Sequence, residues 1–161
     1  MSNNENIKIT FPDGSIKEFP KGSSSIDIAR SISKGLAEDV LVAEVNGKLV
    51  DLAKPLNEDA SVKFYKFGDD EGRKVYWHTT SHIMAQAIEE LFPGAKFGVG
   101  PAIENGFYYD VDSEHKFLEE DLKKIEERML ALAREKQVYK RREVSKTDAL
   151  DYFTKKGDPY K

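Results

Sequence analysis

The stretch LVAEVNGKLVDL, residues 41–52, constrains the fold more than any other part of the chain. Two apolar runs flank Asn46-Gly47, and Asn-Gly is the pair that most readily takes the positive φ angles of a tight two-residue turn. A β-hairpin is predicted there, and an isolated hairpin needs further strands or a helix to be stable. The flanking residues supply both. IKITF (7–11) and IKEF (16–19) alternate as strands do, on either side of the turn sequence PDGS. In SSSIDIARSISKG, Ser24 or Ser25 can cap a helix, Asp27 suits the positive end of its dipole, and Gly35 can close it. Ile28, Ile32 and Leu36 recur at helical spacing and are expected to face the sheet. SVKFYKF (61–67) adds a last alternating strand. Four or five strands around one helix predict a ubiquitin-like β-grasp unit over residues 1–67. This segment has no histidine, and its carboxylates sit mainly in turns. It reads as a binding or spacer module.

GDDEG (68–72) has the composition of a linker, with two glycines around three acids. A second unit is predicted over residues 73–161. Residues 75–92 read as a helix stopped by Pro93-Gly94. AKFGVGPAIENGFYYDVD is a glycine-rich extended stretch with a turn expected at Asn105-Gly106. EHKFLEEDLKKIEERMLALAREKQ reads as a long amphipathic helix whose apolar stripe is Leu118, Leu122, Ile125, Met129 and Leu132. VYKRREVSK and ALDYFTKKGDPYK follow as a strand, then a short helix and loop. The fold class expected overall is α+β, with a β-grasp domain followed by an incomplete α+β domain built on a long helix.

Charged residues make up 34% of the 161, and no apolar run approaches the roughly 18–20 residues that span a bilayer. The polar opening MSNNENIKIT has no signal-peptide core, and the absence of cysteine excludes disulfide and thiolate chemistry within the chain. A cytoplasmic protein without a membrane partner is expected. Net charge is −4, all of it carried by residues 1–72, which hold 9 Lys+Arg against 13 Asp+Glu. REKQVYKRREVSK (134–146) runs the other way, with six basic residues against two acidic, so an acidic total does not exclude a nucleic-acid contact.

HTTSH, residues 78–82, places two of the three histidines four apart on the predicted helix. That spacing puts both imidazoles on one face, beside Ala85 and Glu89 and away from the apolar cluster of Met84, Ala87, Ile88 and Leu91. A zinc-protease motif would need glutamate after the first histidine, and Thr79 stands there. A metal site would need a third ligand. The remaining histidine, His115, lies in the charged segment SEHKF and reads as a solvated turn residue, so no metal ligand is assigned. Two readings stay open on the residues alone. The histidines can orient or deprotonate a water attacking an ester, with FGVGPAIENGFYYD walling a small polar pocket. Otherwise the pair is solvated, and the glycine-containing segment is a hairpin whose aromatics pack on a helix.

The succession FPDGS, VNGKLVDL, HTTSHIMAQAIEELFP, GVGPAIENGFYYDVD and GDPYK resembles the N-terminal region of bacterial threonyl-tRNA synthetases, from about residue 7 to the last residue. The resemblance implies a TGS domain, a β-grasp module shared with some GTPases and stringent-response enzymes, followed by the start of the tRNA-editing domain. It implies a parent that attaches threonine to tRNA-Thr using ATP, and an N-terminal region that hydrolyses mischarged seryl-tRNA. His78 and His82 match the family's HxxxH pair, which positions substrate and water. Gly98, Gly100 and Pro101 match its glycine-rich wall, Tyr109 a pocket tyrosine, and Lys161 a lysine that supports the transition state. An ammonium near a developing oxyanion suits ester hydrolysis.

The resemblance also marks what this sequence lacks. The family's editing site uses a later C-x-x-x-H element, which does not occur here. ATP, Mg2+ and Zn2+ belong to a separate aminoacylation core. The expected partners are tRNA-Thr and the rest of a synthetase chain, with homodimerisation through that core. Lys136, Lys140, Arg141, Arg142 and Lys146 fit contact with tRNA phosphates, a solvated helix end being the alternative. Two other functions compete: a non-catalytic TGS-type binding module and a freestanding aminoacyl-tRNA deacylase.

Overall fold

The computed structural model describes residues 5–137, 142–157 and 160. The chain divides into two compact units, Met1–Tyr76 and Trp77–Lys161.

The first unit is a five-stranded mixed sheet in the order β2-β1-β5-β3-β4. Strands β1 (Asn6–Thr10) and β2 (Ile16–Pro20) form an antiparallel hairpin with Ile9 opposite Lys17. Its turn carries Gly14 at φ 80°, in the left-handed region that glycine enters without strain. β3 (Val40–Val45) and β4 (Lys48–Val50) form the hairpin expected from Asn46-Gly47, with φ of 49° and 77° at the two turn residues. β5 (Ala60–Lys66) lies between β1, to which it is parallel, and β3, to which it is antiparallel. Ile7, Ile9, Ala60 and Val62 point to one face by strand alternation and meet Ile28 and Leu56 in a closed apolar cluster. This is the β-grasp arrangement that the residue pattern predicts.

Helix α1 (Ser25–Ile32) starts where expected. Ser24 accepts from the Asp27 amide while the Asp27 carboxylate accepts from the Ser24 amide, so two orphan donors are satisfied at once. The helix ends differently from the sequence expectation. Extended backbone at Ser33 closes it, and Ser33 then caps a short helix α2 (Lys34–Asp39) that contains Gly35. This break turns the stripe: Ile28 is buried, but Ile32 is exposed and Leu36 only half-buried. Ala29, not Ile32, shares the buried face with Ile28.

The segment read as a linker is largely helical. Helix α3 runs from Asp70 to Leu91, so only Gly68 and Asp69 of residues 68–72 lie outside it. Asp70 and Glu71 occupy the first turn, where carboxylates suit the dipole. Gly72 is buried against the end of β5, and a Cβ there would collide with the Lys66 carbonyl. Its role is close backbone approach, which composition cannot distinguish from linker flexibility.

In the second unit, α3 continues to Leu91, β6 (Lys96–Phe97) pairs with β9 (Val111–Asp112), and β7 (Ala102–Ile103) pairs with β8 (Gly106–Phe107). The β7–β8 register centres the turn on Glu104-Asn105, one residue earlier than expected, with Gly106 opening β8 at φ 137°. Helix α4 (Glu119–Glu135) buries Ile125 and Leu132 against Ala87, Ile88 and Phe97. Leu118 and Leu122 do not join that core and are 64% and 59% exposed. Leu91 of α3 is likewise exposed. Residues 142–145 are not strand, and 138–141 of the expected strand VYKRREVSK lie outside the described residues. Helix α5 (Lys146–Lys156) is capped by Ser145 and closed by Gly157 at φ 68°.

Candidate functional site

His78 and His82 stand one turn apart on an uninterrupted part of α3, and both are exposed. Their Nε2 atoms are 2.9 Å apart and their ring centroids 4.6 Å apart, nearly perpendicular. A hydrogen bond between two Nε2 atoms needs a proton on one and a lone pair on the other. When both rings are neutral, the donor therefore keeps a lone pair on Nδ1, while the acceptor carries its proton on Nδ1. In that arrangement one proton lies between the rings, and one ring keeps a lone pair on Nδ1.

Tyr109 completes one side. Its ring lies 6.4 Å from that of His82 and 5.6 Å, edge-on, from the buried Phe97. The same ring covers Gly100, where a Cβ would collide with it. At Gly98 a Cβ would come within 3.1 Å of the Asp110 Cβ. Backbone bonds hold the two arms together: the Gly98 amide donates to Asp110 O and the Asp110 amide to Val99 O, both at 2.9 Å. Pro101, half-buried, leads from Gly100 into β7. Gly98, Gly100, Pro101 and Tyr109 thus form one wall, with the wall's tyrosine close to His82.

Ser81, fully buried between the two histidines in sequence, joins helix to wall. Its hydroxyl lies 2.7 Å from the His78 carbonyl and 3.3 Å from the Gly100 carbonyl. Nothing in the residue pattern singled out Ser81, because its partner lies 19 residues away. Gly98, Val99, Asp110, Val111, Asp112 and Tyr160 line an open hollow of about 420 Å³.

Lys161, Lys140 and Arg141 lie outside the described residues. Lys136, Arg142 and Lys146 are exposed, at the C-cap of α4, before α5 and at its first residue respectively. They sit at separate points of the chain's path between α4 and α5.

His115 is exposed in a bend, as expected, but its ring is held on both sides. It stacks on Phe92 at 4.6 Å, and its Nε2 meets the Asp121 carboxylate at 2.7 Å. Asp121 is buried at the start of α4, where it also accepts from the Leu118 amide and from Lys124. The hydrogen bond from His115, then that from Leu118, and then Lys124 hold its carboxyl at about 2, well below the usual carboxylate range. This cluster fixes the entry to α4.

Among the described residues no three His, Cys, Asp or Glu side chains converge as metal ligands. Among these residues the zinc implied for the aminoacylation core has no matching donor set. Among them, too, no helix is long and apolar enough to cross a membrane.

The fold of the first unit and the paired histidines of the second define a class, a β-grasp module joined to a helix-borne imidazole site. The TGS-domain family matches residues 7–66, which span the five-stranded sheet apart from Asn6. The full chain is 51% identical to a threonine–tRNA ligase of Pelodictyon phaeoclathratiforme, and 96% of it is 53% identical to those of Chlorobium limicola and Bacteroides thetaiotaomicron. It spans about a quarter of the length of these curated relatives, covering 25% and 24% of them. The chain thus carries a TGS domain and is similar over its whole length to the N-terminal region of bacterial threonyl-tRNA synthetases.

Proposed function

We propose that residues 73–161 contribute a hydrolytic site that removes serine from mischarged tRNA-Thr, with residues 1–67 as the accompanying TGS module. The observation that carries this reading is the Nε2–Nε2 contact of His78 and His82 beside the tyrosine-covered glycine wall. An aminoacyl ester is cleaved when water attacks its carbonyl carbon and the attacking water loses a proton. An Nδ1 lone pair of one imidazole accepts that proton while the second ring fixes its orientation, and the proton passes to the ribose oxygen as the acyl C–O bond breaks. The Lys161 ammonium stabilises the oxyanion as it forms.

The need for such a site follows from chemistry. Serine lacks one methyl group of threonine, and one such group gives an activating pocket only about 1–3 kcal/mol of discrimination. A second pocket that admits the smaller seryl group and rejects the larger threonyl group corrects the error. The relatives are named threonine–tRNA ligases. The corresponding whole-protein activity, attachment of threonine to tRNA-Thr with ATP, Mg2+ and Zn2+, belongs to a separate core. The partners in this reading are tRNA-Thr and that core, through which the synthetase dimerises, in the cytoplasm. Lys136, Lys140, Arg141, Arg142 and Lys146 contact tRNA phosphates, which position the RNA without reading its sequence.

The deciding experiment is serine release from seryl-tRNA-Thr by this chain, with threonyl-tRNA-Thr and the His82→Ala variant as controls. Release that is selective for serine and lost in His82→Ala supports the hydrolytic reading. A folded chain that releases no serine leaves the histidine pair without a hydrolytic role.

A further inference from the structure

Ser81 sits among the residues that make the histidine site, yet no part of it reaches solvent. It lies three residues after His78 and directly before His82 on α3. Its hydroxyl is 2.7 Å from the His78 carbonyl, about one helical turn back, and 3.3 Å from the Gly100 carbonyl. A serine hydroxyl has a single proton, so it donates to one of the two carbonyls or divides the bond between them. Among the described residues, Ser81 is the hydrogen-bond partner of the Gly100 carbonyl.

The helix alone does not explain a hydroxyl here. Alanine is the better helix former, and a serine that bonds back to its own helix tends to weaken or bend it. What the hydroxyl adds is the reach to Gly100. That carbonyl belongs to the residue covered by the Tyr109 ring, which in turn stands 6.4 Å from the His82 ring. The path from His78 through Ser81, Gly100 and Tyr109 to His82 therefore closes on the helix where it began. Moving Gly100 away from α3 moves the Tyr109 ring relative to the imidazoles.

We propose that Ser81 is a positioning residue, whose hydroxyl holds Gly100 against α3 and so sets the spacing between the Tyr109 ring and the imidazole pair. Wholly buried, it cannot touch a substrate and acts only through the groups it holds. Its kinetic consequence rests on the hydrolytic reading above, whereas the spacing is a property of the chain alone.

Ser81→Ala removes the hydroxyl without adding bulk, and alanine keeps the helix. In NMR spectra of the wild-type chain, a slowly exchanging Ser81 hydroxyl proton is expected, with an Overhauser contact to the Gly100 α-protons. In Ser81→Ala the Gly100 carbonyl shift changes, and Overhauser contacts between the Tyr109 and His82 rings weaken. Amide shifts of Ile125 and Leu132, which belong to the core, stay in place. Unaltered Tyr109–His82 contacts in Ser81→Ala overturn the proposal. So does a disturbance that reaches Ile125 and Leu132, because Ser81 is then an ordinary core residue.

Kinetics provide the second arm. Ser81→Ala lowers kcat for seryl-tRNA-Thr hydrolysis by roughly 2- to 10-fold, the scale of one net hydrogen bond, with KM unchanged. Histidine-dependent hydrolysis indifferent to Ser81→Ala overturns the positioning role and leaves the hydrolytic reading standing. No hydrolysis by the folded wild-type chain removes the hydrolytic reading, and the spectra then decide the latch by themselves.

Discussion

At Gly100 the absence of a side chain is what lets the Tyr109 ring lie across the wall. A methyl group there must displace the ring or the backbone, and overpacking of this kind costs about 1–3 kcal/mol. Gly100→Ala is expected to lower unfolding stability in urea by that amount and to reduce serine release. Adding Tyr109→Ala should recover stability relative to the sum of the two single changes, because the second substitution removes the obstructing ring. Additive losses in the double-mutant cycle would show that the ring and the glycine do not compete.

Asp121 gives a pH-dependent prediction at the same scale. Its folded-state pKa lies below its ordinary value of 3.8, at about 2, chiefly through the hydrogen bond from His115. A depressed carboxylate contributes stability above its unfolded pKa and loses it as pH falls through the folded value. Wild type should therefore exceed Asp121→Asn in urea midpoint at neutral pH, with the gap closing as pH falls from 3.8 to about 2. A gap that stays constant over this range would remove the carboxylate as its cause.

Helix α4 shows how far periodicity reaches at the scale of an element. Leu118, Leu122, Ile125, Met129 and Leu132 form one stripe on a helical wheel, yet only its C-terminal half is covered. A stripe records which residues share a face, whereas burial depends on what lies opposite. Ile125→Ala should destabilise by about 2–5 kcal/mol, as buried aliphatic truncations do. Leu122→Ala should stay within about 0.5 kcal/mol of wild type. Thermal or urea unfolding of the two variants checks both. The hairpin at Asn46-Gly47 is different, because its information is local: two adjacent residues able to take positive φ suffice to set the turn. Gly35 lacks that advantage, since Ser33 has already ended α1.

The charge of the whole molecule is divided, with residues 1–72 carrying the net −4 and the remainder neutral but locally basic at 134–146. Binding to tRNA should therefore weaken with salt through the second unit. Replacing Lys136, Arg142 and Lys146 by alanine should reduce the slope of log K against log salt by about 0.7–0.9 for each phosphate that the protein no longer neutralises. Removing acidic residues from the first unit should leave the slope unchanged. A triple variant with the wild-type slope, measured by filter binding across a salt series, would remove these residues from the RNA interface.

By itself the sequence determined the β-grasp unit, its hairpins, a serine cap for α1 at Ser24 or Ser25 and the shared helix face of His78 and His82. These depend on neighbours a few residues apart: alternation, turn chemistry, caps and helical spacing. It also carried the family motifs, which single out the glycine wall and Tyr109. Only the tertiary structure decided what lay across from each face. The Ser81 latch to Gly100, the close approach that requires Gly72, the His115–Asp121 knot and the Tyr160–Asp112 tie all depend on backbone folding that brings separated groups into contact. Hydrogen bonds and collisions act over a few ångströms of space, and the spacing of residue types along a chain does not specify that distance.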